Sequence, residues 1–277
     1  MVGRGFGVLG SSQRRMPKIS VVVPAYNEGR NIYRNIREFT ETFARLQLDY
    51  ELIIVDDGSE DDTYQEASKA LSERVKVLHY PENRGKGYAL KHGVAHATGE
   101  LVTFLDADMD IHPAQTSVLL EYIEGNDIVI GCKRHPLSRV KYPLTRRFLS
   151  ACYHLMIRLL FRLRLNDTQT GIKLFRREAL AAALPRVTVN GYAFDLDLLV
   201  NANNMGFRIA EAPIVLDYQF NGSGINLTTI WQILKDTMKI FYRERVTKYF
   251  KGAERPNDTP SRTDSEAPKM GSNPNDS

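Results

Sequence analysis

The sequence predicts an α/β protein with a mostly parallel, doubly wound sheet, helices on both faces and a C-terminal helical extension. Three observations predict it. Apolar runs of strand length alternate with amphipathic helical segments through the first half of the chain. The runs are continuously apolar and β-branched instead of alternating with polar residues, which is how strands buried on both faces read. Polar clusters then follow successive runs at the same end, at residues 26–28, 56–59, 83–86 and 106–110. In an open parallel sheet, ligands bind beyond the carboxyl ends of the strands, so these clusters converge on one edge.

Residues 18–24 (KISVVVP) form a β-branched run ended by proline, a buried strand. A loop over 25–29 follows, then Ile32, Ile36, Phe39, Phe43 and Leu46 at steps of four and three, the apolar face of a helix. Residues 51–55 (ELIIV) make a second strand that runs into Asp56-Asp57-Gly58-Ser59. Ser59, Asp61 and Asp62 offer N-caps for a helix over 62–73. Residues 75–79 are a third strand, and Asn83-Arg84-Gly85-Lys86-Gly87 opens a helix that ends at Gly99, a candidate C′ glycine. Residues 101–105 are the fourth strand, Pro113 suits the first turn of a further helix, and 127–130 are the fifth strand.

Of the 277 residues, 43% are hydrophobic and 25% charged, the profile of an ordinary globular protein. Residues 17–250 make one domain, while residues 1–16 and 251–277 have almost nothing to bury and read as disordered. Met16 directly precedes the first strand and is an alternative start. Cys132 and Cys152 are the only cysteines, too few for a disulfide framework, which points to a reducing compartment. No apolar stretch approaches the roughly 18 to 20 residues of a membrane span, and no secretory h-region is present. A cytoplasmic location follows.

The fourth strand ends in Asp106, Asp108 and Asp110, at i, i+2 and i+4. In an extended chain that spacing aims three carboxylates to one side, and their mutual repulsion calls for a cation or a ring of donors. Oxygen ligands suit Mg²⁺ or Mn²⁺ rather than zinc; the alternative is a solvated acidic loop capping the next helix. Neither a G-x-G-x-x-G turn nor a P-loop is present, so a dinucleotide fold and a P-loop nucleotidase are both unsupported. Asp56 and Asp57 can accept from a base or ribose, and Arg84 and Lys86 beside two glycines can meet phosphates. With a metal on the acidic triplet, the edge describes a nucleoside diphosphate site.

The ordered stretches VVVPAYNE, IIVDDGSEDDT, NRGKGYAL and FLDADMD resemble the motifs of family-2 inverting glycosyltransferases with the GT-A fold. In the second half, VIGCKR, TRRFLS, DTQTGIKLFRR and GYAFDLDLL are similar to dolichyl- and polyprenyl-phosphate sugar synthases. The resemblance spans about residues 18–247. It implies transfer of a hexose from UDP-glucose or GDP-mannose to a polyprenyl or dolichyl phosphate, with Mg²⁺ or Mn²⁺ as cofactor. It also implies roles for residues. Pro24, Tyr26, Glu28, Asp56, Asp57, Lys86 and Asp106 would bind the nucleotide sugar. Asp106, Asp108 and Asp110 would hold the metal, Lys133 and Arg146 the phosphates, and Asp197 would stand on the acceptor side. Mannosyl members often carry an R-x-x-G-x-S-K stretch after the last strand, where this chain has Gln219-Phe220-Asn221-Gly222-Ser223-Gly224-Ile225, without Arg or Lys.

Two further segments suit a membrane-surface acceptor. Residues 143–165 combine Phe148, Leu149, Tyr153, Leu155, Met156, Leu159, Leu160 and Phe161 with Arg146, Arg147, Arg158, Arg162 and Arg164. Residues 229–250 set Trp231, Ile233, Leu234, Met238, Ile240, Phe241 and Tyr242 against Lys235, Lys239, Arg243, Arg245 and Lys248. Basic amphipathic helices with aromatic residues suit the interface of an anionic leaflet, here the inner face of the membrane, where the protein would be peripheral; the same pattern also fits core-packing helices with solvated basic faces. No nucleic-acid reader motif accompanies them. A phosphate nucleophile is already anionic and needs no strong base, whereas a glycan or soluble hydroxyl acceptor would need one, for which Asp195 and Asp197 are the candidates. The remaining alternative is a non-catalytic nucleotide-sugar-binding protein.

Overall fold

The computed structural model describes residues 17–141, 144–161, 163–217 and 227–246. The first half runs β1 Ile19–Ala25, α1 Ile32–Arg45, β2 Tyr50–Asp57, α2 Thr63–Ser68, β3 Val75–Tyr80, α3 Lys86–Ala95 and β4 Leu101–Phe104. The second half runs α4 Thr116–Tyr122, β5 Ile128–Cys132, β6 Arg139–Lys141, α5 Leu144–Phe161, β7 Lys173–Arg176, α6 Arg177–Ala183, α7 Phe194–Asn204, β8 Ile209–Pro213, β9 Val215–Asp217 and α8 Leu227–Val246.

A seven-stranded sheet has the order β3-β2-β1-β4-β7-β5-β8, and β6 pairs with β9 in a small second sheet. All neighbours in the main sheet are parallel except β7, which is antiparallel to both β4 and β5. The period of two along each strand splits the core into two layers. Val22, Ile53 and Val55 face α3, α7 and the ends of α5 and α8, while Val21, Val23, Leu52 and Ile54 face α1. Ile32, Ile36, Phe39 and Phe43 are fully buried, as their spacing predicts, and each such side chain contributes about 1.5–3 kcal/mol of hydrophobic burial.

Several elements differ from the sequence expectation for local reasons. The helix over 62–73 is only α2, with Asp62 at its N-cap; Asp61 ties its start to the loop after β1, Oδ1 accepting from the Thr63 N–H at 3.0 Å and Oδ2 from the Gly29 N–H at 3.0 Å. Helix α3 ends at Ala95. Gly99 serves close packing instead, since a Cβ there would lie 2.6 Å from the Lys18 carbonyl oxygen. Asp56 and Asp57 belong to β2 itself, so a regular ladder, not a loop, orients them. The helix expected from Pro113 opens as a 3₁₀ turn before α4. The expected disorder of residues 1–16 and 251–277, the stretch 219–225 and the side chain of Arg146 lie outside the described residues.

Candidate active site

The carboxyl ends of β1, β2 and β4 and the start of α3 meet at one edge, as parallel neighbours must. Adjacent residues on a strand point to opposite faces, and the aspartate pair obeys this. Asp56 is fully buried and accepts from the Ser59 N–H at 3.2 Å, from the Ser59 hydroxyl, and from His79 Nδ1 at 2.8 Å. Asp57 accepts from the Tyr80 hydroxyl at 2.7 Å and the Arg84 N–H at 2.9 Å. Burial, and then Asp57, push the Tyr80 phenol up. The Arg84 guanidinium leans on the Tyr88 ring, 4.9 Å from its centroid, and donates to its hydroxyl at 2.9 Å.

The loop after β1 is tied to α2. Asn27 adopts φ 55°, its N–H donating to Ser59 Oγ at 2.9 Å while its Oδ1 accepts from the Glu60 N–H at 2.9 Å. The Glu28 N–H donates to Thr63 Oγ1 at 2.7 Å, and its carboxyl is pushed up by burial and by Asp61. Tyr26 remains 42% exposed.

Lys86, the first residue of α3, pairs with Asp106 just beyond β4. Burial would lower the ammonium's pKa, but Asp106 and Asp195 outweigh it and hold the group protonated. Asp108 is pushed up to about 6 by burial, then by Asp106 and Asp110. Met109 takes φ 64° between them, and the Asp110 N–H donates to Asp108 Oδ1 at 3.1 Å. The triplet therefore turns instead of continuing as an extended row. Among the described residues no three His, Cys, Asp or Glu side chains form a ready ligand group. The full set of three carboxylates is thus not assembled on one point, because Asp106 is drawn to Lys86. The donor set, carboxylate oxygens alone, still suits a hard divalent ion.

The structure separates the residues expected on the acceptor side. Lys133 follows β5 and its Nζ lies 3.5 Å from Asp167, whose Oδ2 also accepts from the Lys133 N–H at 3.0 Å. Burial would raise the Asp167 carboxyl, but Lys133 leads the effects that hold it down. Asp195 pairs with the buried Lys173 at 3.0 Å. Asp197 is fully buried and ion-paired to Arg243 of α8, with the Thr188 and Val189 N–H groups donating at 2.9 and 3.2 Å. It links α7 to α8. Asp167, Gly171 and Lys173 were not singled out from the sequence. The lysine opening the apolar run at 173–175 is the signal that points to them, because a lysine in a buried strand needs a carboxylate.

The profile of Glycosyl transferase family 2 matches residues 20–183, more than half of the chain. The chain is a family-2 glycosyltransferase. A dolichyl-phosphate beta-glucosyltransferase of Trichomonas vaginalis is 32% identical over 82% of this chain and 74% of its own length. The dolichyl-phosphate beta-glucosyltransferase of Dictyostelium discoideum is 30% identical over 81% and 74%. Glycosyltransferase AglD of Haloferax volcanii is 31% identical over 83% of this chain, which spans only 39% of that protein. Glucosyl-3-phosphoglycerate synthase of Mycobacterium tuberculosis, solved with Mn²⁺, UDP and phosphoglyceric acid, superposes with a TM-score of 0.63 at 22% identity, covering 82% of this chain and 78% of its own. That likeness establishes the GT-A fold of the family-2 enzyme described here.

Proposed function

We propose that this family-2 glycosyltransferase moves glucose, with inversion, from UDP-glucose to a polyprenyl or dolichyl phosphate at the cytoplasmic leaflet. The observation that carries the acceptor class is the state of the two candidate bases. Asp195 is taken by Lys173 and Asp197 by Arg243. A hydroxyl nucleophile needs a base to take its proton; a phosphate does not. The names of the eukaryotic relatives support the same acceptor and sugar.

In this reading Asp57 receives the base end of the donor, with Tyr80 and the Arg84 N–H holding its carboxylate in place. Tyr26, Glu28 and Pro24 flank it. Asp108 with Asp106 or Asp110 would hold a divalent ion, which would supply Lewis-acid stabilisation of the leaving diphosphate. Lys86 adds a positive charge at the start of a helix, beside Asp106, where the diphosphate would otherwise meet only carboxylates. Lys133 presents a charge-assisted donor to the acceptor phosphate, with Arg146 assigned the same task.

Helices α5 and α8 pack through Tyr153 and Thr237, hydroxyls 3.1 Å apart, and through an edge-on Phe161–Phe241 contact. Their outer faces leave Leu155, Leu159, Trp231, Met238 and Tyr242 exposed, among Arg158, Lys235, Lys239 and Arg245. Aromatic and basic residues so mixed favour an anionic membrane interface. No helix among the described residues is long and apolar enough to cross a membrane; the docking proposed here is through these two outer faces. The test is a radiolabelled-sugar transfer assay with UDP-glucose and GDP-mannose, with and without polyprenyl phosphate. Transfer to a glycan at full rate without the lipid would overturn the proposal, as would failure to pellet with anionic liposomes at low salt.

A further inference from the structure

We infer that Gly171 is a positioning residue for Asp106: the missing side chain at 171 is the space the Asp106 carboxylate occupies when it reaches Lys86. A Cβ on residue 171 would lie 2.8 Å from Asp106 Cγ and closer still to Oδ2. Nothing in the backbone demands the glycine, because residue 171 is not among the positive-φ positions.

The segment bearing Gly171 is held from several sides. The Thr170 carbonyl accepts from the buried Lys173 Nζ, which is itself 3.0 Å from Asp195. The Ile172 carbonyl accepts from the Gly131 N–H at 3.0 Å, and the Lys173 carbonyl accepts from Thr103 Oγ1 at 2.9 Å. A methyl group added at 171 would therefore meet a fixed backbone on one side and the end of a rotatable side chain on the other. Asp106 gives way. It then loses Lys86 and its place beside Asp108.

The functional part of this inference rests on the donor role proposed for Asp106. Gly171→Ala in the full chain is the test, and its melting temperature should stay near that of the wild type, since alanine restricts the unfolded chain and the Lys86–Asp106 pair it breaks is about one third exposed, which makes its loss a small cost. Affinity for UDP-glucose with Mn²⁺ should fall roughly 10-fold or more, the scale of a lost charge-assisted contact. In an Asp106→Ala background the same change should cost less than about 2-fold, because sites acting through one group are not additive. A crystal structure of the variant should show the Asp106 carboxylate turned from Lys86. This last readout stands even if the wild type binds no UDP-glucose, a result that would refute the proposed donor but not the positioning. An Asp106 that stays on Lys86, additive losses in the cycle, or a collapse of the melting temperature showing that the backbone yields would each overturn the inference.

Discussion

Arg243, near the end of α8, pairs with Asp197 in the first turn of α7. The Asn201 amide donates to the same carboxylate at 2.8 Å, so a fully buried anion is compensated from three segments. The C-terminal helix α8 is thereby joined to α7 by charge as well as by packing. Removing the carboxylate takes away the buried anion on which Arg243, Asn201 and the 188–189 amides converge, and breaking a buried pair costs about 3–5 kcal/mol. Asp197→Ala should therefore lower the melting temperature by roughly 6–20 °C, at 2–4 °C per kcal/mol for a domain of this size. Loss of activity at an unchanged melting temperature would instead make Asp197 a group of the reaction.

Metal dependence is expected from Asp108. Asp108→Ala should lower the rate at least about 10³-fold, some 4 kcal/mol of transition-state stabilisation. The check is steady-state transfer in Mn²⁺ or Mg²⁺ against EDTA, and equal rates in both would remove the metal from the mechanism.

Lys133 should matter to the acceptor more than to the donor. Lys133→Gln should raise the acceptor KM or lower kcat by roughly 10- to 100-fold, the worth of one charge-assisted bond to phosphate. UDP-glucose affinity, measured by calorimetry on the same variant, should change far less. A parallel loss of donor affinity would place the ammonium on the diphosphate instead.

Glu51 gives a pH signature remote from catalysis. Burial pushes its carboxyl up, but Lys76, Ser20 and Thr98 outweigh this and hold it at about 2 against a model-compound 4.5. Its Oε2 lies 2.8 Å from Lys76 Nζ and its Oε1 2.6 Å from Ser20 Oγ. A folded-state pKa below the unfolded one contributes stability above the unfolded value, lost as pH falls through 4.5 towards 2. The contribution at neutral pH is about 3 kcal/mol. Urea titrations of Glu51→Gln should show that loss at pH 7 and a flatter decline below pH 4.5 than the wild type; identical curves would discount the network.

Much of the site was legible in the order of the chain. Continuous apolar runs such as ELIIV announce a two-sided sheet, and parallel pairing then forces Asp57, Lys86 and Asp106 to one edge without further information. The acidic triplet was legible as composition but not as geometry. A row of alternate residues converges only in an extended strand, but β4 ends at Phe104, before the triplet, and Met109 then takes a left-handed turn within it. The pull of Lys86 on Asp106, twenty positions away, completes the difference.

Local sequence by itself determined the α/β class, the α1 face, the buried strands and the motifs of family 2, because these depend on periodicity and on neighbours along the chain. Tertiary structure alone decided the antiparallel insertion of β7 between β4 and β5 and the partners of Asp195, Asp197 and Lys133. Those partners are supplied by residues 22 to 46 positions away, as in Lys173–Asp195, Lys133–Asp167 and Asp197–Arg243. The protonation and orientation of a buried charge are set by whichever opposite charge the fold brings within about 4 Å, and spacing along the chain carries no record of that encounter.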